Sequence, residues 1–178
     1  MEENADILDK SIEVLKGQLG FAPKGYRSPA WELTAELPAE LMSQGITYDS
    51  SLMGFDHPYE VIGLTELPVQ WLLDDAIFFK FSGGGLDRWP PVPPQLVLES
   101  WIEEFEAIYE FGGLFMLTVH PWISGKGQRI RLLRKLMEHV REKGDVWVVG
   151  GLELANYHQT SQNKGTSTIT LETIDTSF

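Results

Sequence analysis

The apolar positions of this chain fall into two kinds of period. The densest run is Leu114 to Val119, Leu-Phe-Met-Leu-Thr-Val. It starts after the Gly112–Gly113 pair and is followed by His120 and Pro121. A short, nearly continuous apolar run bounded by turn residues predicts a strand buried on both faces, as in a parallel sheet. Pro121 has no N–H to give to a ladder, so pairing should stop there. The strand therefore delivers His120 to its carboxyl end, and in α/β folds that rim is where ligands bind. The plainer alternative is a histidine that satisfies a backbone group at a strand end.

Around this run the helical period recurs. Residues 6–19 carry Leu8, Ile12, Leu15 and Leu19, with Asp6 or Asn4 placed to cap. Residues 34–44 read as a helix with Thr34 as cap, Leu37, Leu41 and Met42 on one face, and Pro38 tolerable only in the first turn. Residues 95–111 place Leu98, Trp101, Ile102, Phe105, Ile108 and Tyr109 on a buried side. Residues 126–143 carry the stripe Ile130, Leu133, Met137 and Val140, with Leu136 beside it. A short helix spans 152–158. Strands are expected at 25–27, 46–49 and 146–149, with an extended stretch at 65–71 that Pro68 makes an edge or irregular strand. Residues 50–64 read as a loop. Residues 80–94, with Gly83–Gly85 and four prolines, form a long excursion of the kind that is functional or disordered. Residues 159–178 read as a disordered tail, with a weak alternation at 168–173.

Composition narrows the partners. The chain has 178 residues, 43% of them hydrophobic, enough for a real core. Its formal net charge is -12, which argues against a nucleic-acid backbone or an anionic membrane surface as partner. The basic residues along 126–143 are then a solvated helix face. With no cysteine, disulfides and thiolate-bound zinc are excluded. The acidic start, Met-Glu-Glu-Asn-Ala-Asp, carries no signal-peptide pattern, so a cytoplasmic location is expected.

Repeated β-α units predict a parallel α/β sheet, open or curling as a barrel. A closed (β/α)₈ barrel takes ~250 residues, more than this chain has. Four segments, in order, carry a resemblance. Gly25-Tyr-Arg-Ser-Pro-Ala-Trp31, Tyr48-Asp-Ser-Ser-Leu52, Glu66-Leu-Pro-Val-Gln-Trp-Leu-Leu-Asp-Asp75 and Leu117-Thr-Val-His-Pro121 together resemble the polysaccharide deacetylase (NodB-homology) family. The nearest flavour is its peptidoglycan-deacetylase-like and cyclic-imidase-like branch, over residues 1–158 as the C-terminal portion of such a domain. The resemblance implies an incomplete, distorted (β/α) barrel. It also implies a hydrolase of non-peptide carbon–nitrogen bonds, acting on an N-acetylated sugar polymer or a cyclic imide. By that resemblance Arg27 orients a catalytic aspartate, Pro29, Trp31 and Trp71 wall the substrate groove, and Leu117 shapes an acetyl pocket. His120 protonates the leaving amine, and Asp74 or Asp75 is the acid that holds it. Trp122 adds to the aromatic groove. An imidazole titrates near neutrality, which suits proton donation.

The resemblance also implies a divalent metal, zinc or similar, held by an early pair of adjacent aspartates and a His-x-x-x-His pair. This sequence has its adjacent aspartates only at Asp74–Asp75, and its histidines, His57, His120, His139 and His158, make no such pair. A catalytic zinc usually takes three protein ligands, and none of these residues assembles a metal set by spacing. His57 beside Asp56 offers at most a weak one. The expectation is a chain that binds no catalytic metal and is inactive alone. Residues 25–27 are then expected to border a gap that the first helix, the tail or a second chain fills, or the chain is a carbohydrate- or partner-binding remnant. Arg27, His120 and Asp74 or Asp75 are expected to converge at one rim.

Overall fold

The computed structural model describes residues 2–81, 90–161 and 168–169. In chain order the elements are α1 (Glu2–Leu19), β1 (Gly25–Tyr26), α2 (Leu37–Ser43), β2 (Tyr48–Asp49), β3 (Tyr59–Val61), β4 (Leu64–Glu66), α3 (Asp75–Phe79), α4 (Pro94–Phe111), α5 (Pro121–Ser124), α6 (Gly127–Glu142), α7 (Gly151–Thr160) and β5 (Thr168–Ile169). Single 3-10 turns occupy Pro29–Trp31 and Trp71–Leu73. The chain divides into two compact units, Met1–Pro68 with Val149–Phe178, and Val69–Val148. No helix among the described residues is long and apolar enough to cross a membrane.

The first unit is organised on a five-stranded sheet in the order β1-β2-β4-β3-β5. β1 runs parallel to β2 and β2 to β4, β3 and β4 form an antiparallel hairpin, and β5 runs parallel to β3. Register places Tyr26, Asp49, Glu66 and Tyr59 in one row across the sheet. The next row, Gly25, Tyr48, Thr65 and Glu60, points the other way because side chains alternate along a strand. On that second face α7 is fastened by Gln159, whose Nε2 donates to Thr65 Oγ1 at 2.9 Å, and by His158, 3.5 Å from Glu60. The Tyr48 ring lies across Gly25 and Gly151, where a Cβ would fall 2.0 and 2.8 Å from its atoms. That contact explains why both positions lack a side chain. The unit's apolar core joins Leu8 and Ile12 of α1 to Leu41 of α2, Ile46 and Leu64, with Tyr26 of β1 packed against it.

Several expectations change here. α1 begins at Glu2, so positions 4 and 6 lie within the helix rather than ahead of it. α2 starts at Leu37 rather than at a Thr34 cap, with Pro38 in its first turn as required. The expected 50–64 loop contains β3, because Ile62–Gly63 is a two-residue hairpin turn with φ of 52° and 86°. β4 is not an edge strand: it lies between β2 and β3, and it can because Pro68 falls beyond its last residue, Glu66. β1 is an edge of the sheet, as expected, while the tail residues of β5 pair at the opposite edge. The rest of the tail and residues 82–89 of the excursion lie outside the described residues.

The second unit packs α4 against α6, with α3 and α5 beside them. Its core gathers Leu73, Phe79, Val97, Trp101, Ile108, Ile123, Leu132 and Leu136. Trp101 is fully buried, and its indole N–H donates to Leu72 O at 2.8 Å, which satisfies its one polar atom. α4 stops at the left-handed Gly112, where the Gly-Gly pair placed its end. On α6 the buried stripe is Leu132, Leu136 and Val140, whereas Ile130 and Met137 are 48% and 45% exposed. Both registers are apolar at helical spacing, and packing on α4 selects one. The basic face of α6 is solvated, with Lys143 and His139 pairing to Glu106 of α4 at 2.5 and 2.6 Å.

Among the described residues, the expected strand at 114–119 forms one parallel bridge, Thr118 with Asp74. Thr118 N donates to Leu73 O at 2.7 Å, and Asp75 N donates to Thr118 O at 3.1 Å. Its partner is extended for hardly more than one residue, between the turn ending at Leu73 and the helix starting at Asp75, so the ladder cannot propagate. Nor is the run buried on both faces: Phe115 and Leu117 are half-buried against the core. Residues 146–149 have no strand pairing among the described residues.

Candidate active site

The bridge at Thr118 brings the second unit's chemistry together. It aligns the start of α3 with the end of the 114–119 run, so that Asp75 meets His120. Asp75 is fully buried and receives three donors. His120 N donates to Oδ2 at 3.0 Å, Ser124 Oγ donates to the same oxygen, and His120 Nδ1 lies 2.6 Å from Oδ1. An ionised carboxylate can only accept, so the geometry assigns the proton to Nδ1 and directs Nε2 outward. The His120 side chain is 36% exposed, and Trp122 stands edge-on to it at 5.9 Å between ring centroids.

Asp74, which the sequence left as an equal alternative, has another role. Its Oδ1 caps α3 by accepting from Ala76 N at 2.6 Å, and it lies 3.8 Å from His120 Nδ1. Asp75 therefore faces the imidazole, and Asp74 starts the helix that aims Asp75. Pro121 sits in the first turn of α5, and that turn brings Ser124 back to the carboxylate. Ser124 carried no sequence signal; a serine four residues after a histidine has many uses.

Among the described residues, Asp74, Asp75 and His120 are a group of three whose ligand atoms lie within 4.8 Å of one another. Their chemistry does not fit a catalytic metal. Both Asp75 oxygens and Asp74 Oδ1 already accept hydrogen bonds, and Nδ1 is turned into Asp75. A metal there would leave Ser124 and the His120 amide without their acceptor. His57 is stacked on Phe55 at 5.3 Å.

Arg27 belongs to the first unit. Its Nε donates to Ser50 O at 2.8 Å and its Nη2 to Ser50 Oγ at 2.6 Å. Pro29 and Trp31 form the 3-10 turn that follows, in which Ala30 and Trp31 have φ of 55° and 62°. Left-handed backbone at non-glycine residues is strained and persists only where surroundings enforce it. Of the other groove residues, Trp71 is 49% exposed in the second unit, and Leu117 packs half-buried against that unit's core.

The sequence reading also missed a pair of buried carboxyl groups in the first unit, Asp49 and Glu66, which are adjacent in register on β2 and β4. Burial, and then the Asp49 charge, push Glu66 up to about 9, and burial raises Asp49 as well. Tyr59, opposite Glu66, is also raised, by burial and then by Glu66.

Comparison with known proteins places these features in context. A peptidoglycan deacetylase of Helicobacter pylori is 29% identical, with 83% of this chain and 61% of that protein aligned. The peptidoglycan deacetylase-like protein FGM2 of Gibberella zeae is 21% identical, with 80% and 53% aligned. This chain thus spans roughly half to three fifths of the length of those relatives. A crystal structure assigned as a polysaccharide deacetylase from Mycobacterium smegmatis superposes with a TM-score of 0.83 at 37% identity, covering 88% of this chain and 56% of that one. The allantoinase PuuE superposes with a TM-score of 0.77 at 17% identity, covering 89% and 54%, a likeness of fold alone. No family model matches the chain. The fold is an incomplete, distorted (β/α) barrel, as the resemblance implied.

Proposed function

Because the chain belongs to the polysaccharide deacetylase (NodB-homology) family, we propose that it serves hydrolysis of a non-peptide carbon–nitrogen bond, the N-acetyl amide of a sugar polymer. The observation that carries this reading is the Asp75 carboxylate gripping His120. With Nδ1 held at 2.6 Å from Asp75, the transferable proton resides on Nε2 when the ring is charged. As the carbon–nitrogen bond breaks, that proton passes to the departing amine, and the ring is left neutral with Nδ1 still bonded. Positioned proton transfer of this kind contributes ~10²–10⁴-fold. The sugar-polymer substrate is favoured over a cyclic amide because the relatives of higher identity are named for deacetylation of such polymers.

The metal that the family resemblance implies finds no fitting ligand set in Asp74, Asp75 and His120, so this chain is assigned the proton donor and not the metal centre. By itself it is expected to bind no catalytic metal tightly and not to turn over amides. The exposed Trp122, 61% accessible beside His120, also favours a second reading, in which the chain retains only the sugar-binding surface.

The test follows the His120 ring signals by NMR during titration with N-acetylglucosamine oligomers and with their fully deacetylated counterparts. A shift with the acetylated oligomers only supports the hydrolase reading. An equal response to both supports the binding remnant, and no response to either overturns both. Zinc, cobalt and nickel are then added in turn, with bound metal and acetate release measured. Stoichiometric metal with turnover that vanishes in His120→Ala would overturn the assignment of an inactive chain.

A further inference from the structure

We propose that Asp49 and Glu66 share one proton, carried on Glu66 Oε2, and that this acid pair is the positioning element that holds the Arg27–Trp31 segment in its strained shape. The argument begins with where donors are. Glu66 Oε1 accepts from the amides of Ser51 and Leu52, each at 2.9 Å. Asp49 accepts from Ser51 N at Oδ2 and from Ser51 Oγ at Oδ1, both at 3.0 Å. Glu66 Oε2 is buried, and no donor among the described residues reaches it. An orphaned anionic oxygen in that position is costly. A proton on Oε2 removes the cost, and Asp49, adjacent to Glu66 in strand register, is the acceptor this proposal assigns to it.

The pair is connected to the segment by a short chain of bonds. Ser51, clamped by both acids, presents Oγ to Ser28 N at 2.9 Å. Ser50, its neighbour, holds the Arg27 guanidinium, donates from Oγ to Leu67 O at 2.7 Å, and donates its own amide to Tyr26 O at 3.1 Å. Ser28 N opens the turn in which Ala30 and Trp31 take left-handed backbone. The acids thus fix Ser51, Ser51 fixes Ser28, and the strained turn follows. This inference goes beyond the proposed activity, and none of its readouts depends on turnover.

The other groups around the pair are Tyr59 from β3, whose hydroxyl accepts from Gly54 N at 3.1 Å, Arg27 after β1, and, on the opposite face of the sheet, Glu60 with His158 of α7. Burial is the largest influence on Glu66, followed by the Asp49 charge, while the Leu52 and Ser51 amides act in the opposite sense. A carboxyl raised on folding stabilises the fold most below its ordinary range. That contribution is lost progressively as pH rises towards about 9.

The experiment uses the whole chain. The carboxyl carbons of Glu66 and Asp49 are titrated by NMR, and the Ser28 amide exchange rate is compared in wild type, Glu66→Gln and Glu66→Ala. Glu66 is expected to remain protonated at neutral pH. Gln has an N–H where the acid has its proton, so Glu66→Gln should keep Ser28 protected and remove the alkaline loss of stability. Glu66→Ala should speed Ser28 exchange by about tenfold or more. A Glu66 ionised at neutral pH overturns the proposal, as does Ser28 exchange that is equally fast in the Gln and Ala variants. If the Ala variant does not fold, the titration and the Gln variant decide.

Discussion

The two units each bury a carboxylate beside a second titratable group, and they solve the problem in opposite ways. In the second unit Asp75 is surrounded by donors: a backbone amide, a hydroxyl and an imidazole N–H. Through those contacts it orients His120. In the first unit Glu66 meets another carboxylate, and burial drives it towards the protonated acid. The lesson is that two buried carboxyl groups differ in what is aimed at them: Asp75 faces donors on both oxygens, whereas Glu66 faces a second acid. The units differ in backbone too. Among the described residues, the left-handed ones other than glycine, Ala30, Trp31 and Ile62, fall in the first unit. Among the described residues of the second, only Gly112 and Gly144 take positive φ.

The comparison breaks most readily at Asp75. Asp75→Asn puts an N–H where only acceptors fit, so one of Ser124, the His120 amide or the His120 ring loses its partner. We expect a loss of about 3 kcal/mol, as for a broken buried charge network, read by urea denaturation, with the His120 ring mobile by NMR. A variant as stable as wild type would show that Asp75 is not the hydrogen-bonding hub described.

Ser124→Ala sharpens the same site. It removes one of three donors while leaving the imidazole pair, for a cost of about 1–2 kcal/mol, and the His120 ring should keep its tautomer. A change of tautomer in nitrogen-detected spectra would place Ser124, not Asp75, in control of the ring.

Glu66→Gln tests the contrast from the other side. Because Gln resembles the protonated acid, the change at neutral pH should stay within about 1 kcal/mol. Wild type should lose stability relative to the variant as pH rises from the ordinary glutamate range towards about 9, with no further divergence above it. Parallel stability curves over that window would mean that Glu66 is ionised throughout.

The smallest expected effect is in the hairpin turn. Ile62 holds φ of 52° while 45% exposed, so Ile62→Asn should gain a few tenths to about 1 kcal/mol. A loss in thermal unfolding would mean that the Ile62 side chain contributes contacts outweighing its backbone strain.

The long helices and the stop at Gly112 were readable because period and punctuation act locally. So was His120 as a residue delivered at the end of an apolar run, next to a proline that halts pairing. The resemblance carried by Arg27, Pro29, Trp31 and the Asp74–Asp75 pair reached the family before any geometry. What the sequence could not decide were choices between equivalents. Asp74 and Asp75 are chemically identical neighbours, and only the bridge at Thr118 sends one to the helix cap and the other to the imidazole. The stripes at Ile130–Met137 and Leu132–Val140 are both apolar, and packing against α4 picked the second. β3 was hidden because Ile62 stands where a turn residue is expected, and Asp49 and Glu66, with 16 residues between them, meet only by strand register. Period and turn chemistry are properties of neighbours along the chain, whereas a shared proton or a gripped imidazole depends on which strands lie side by side.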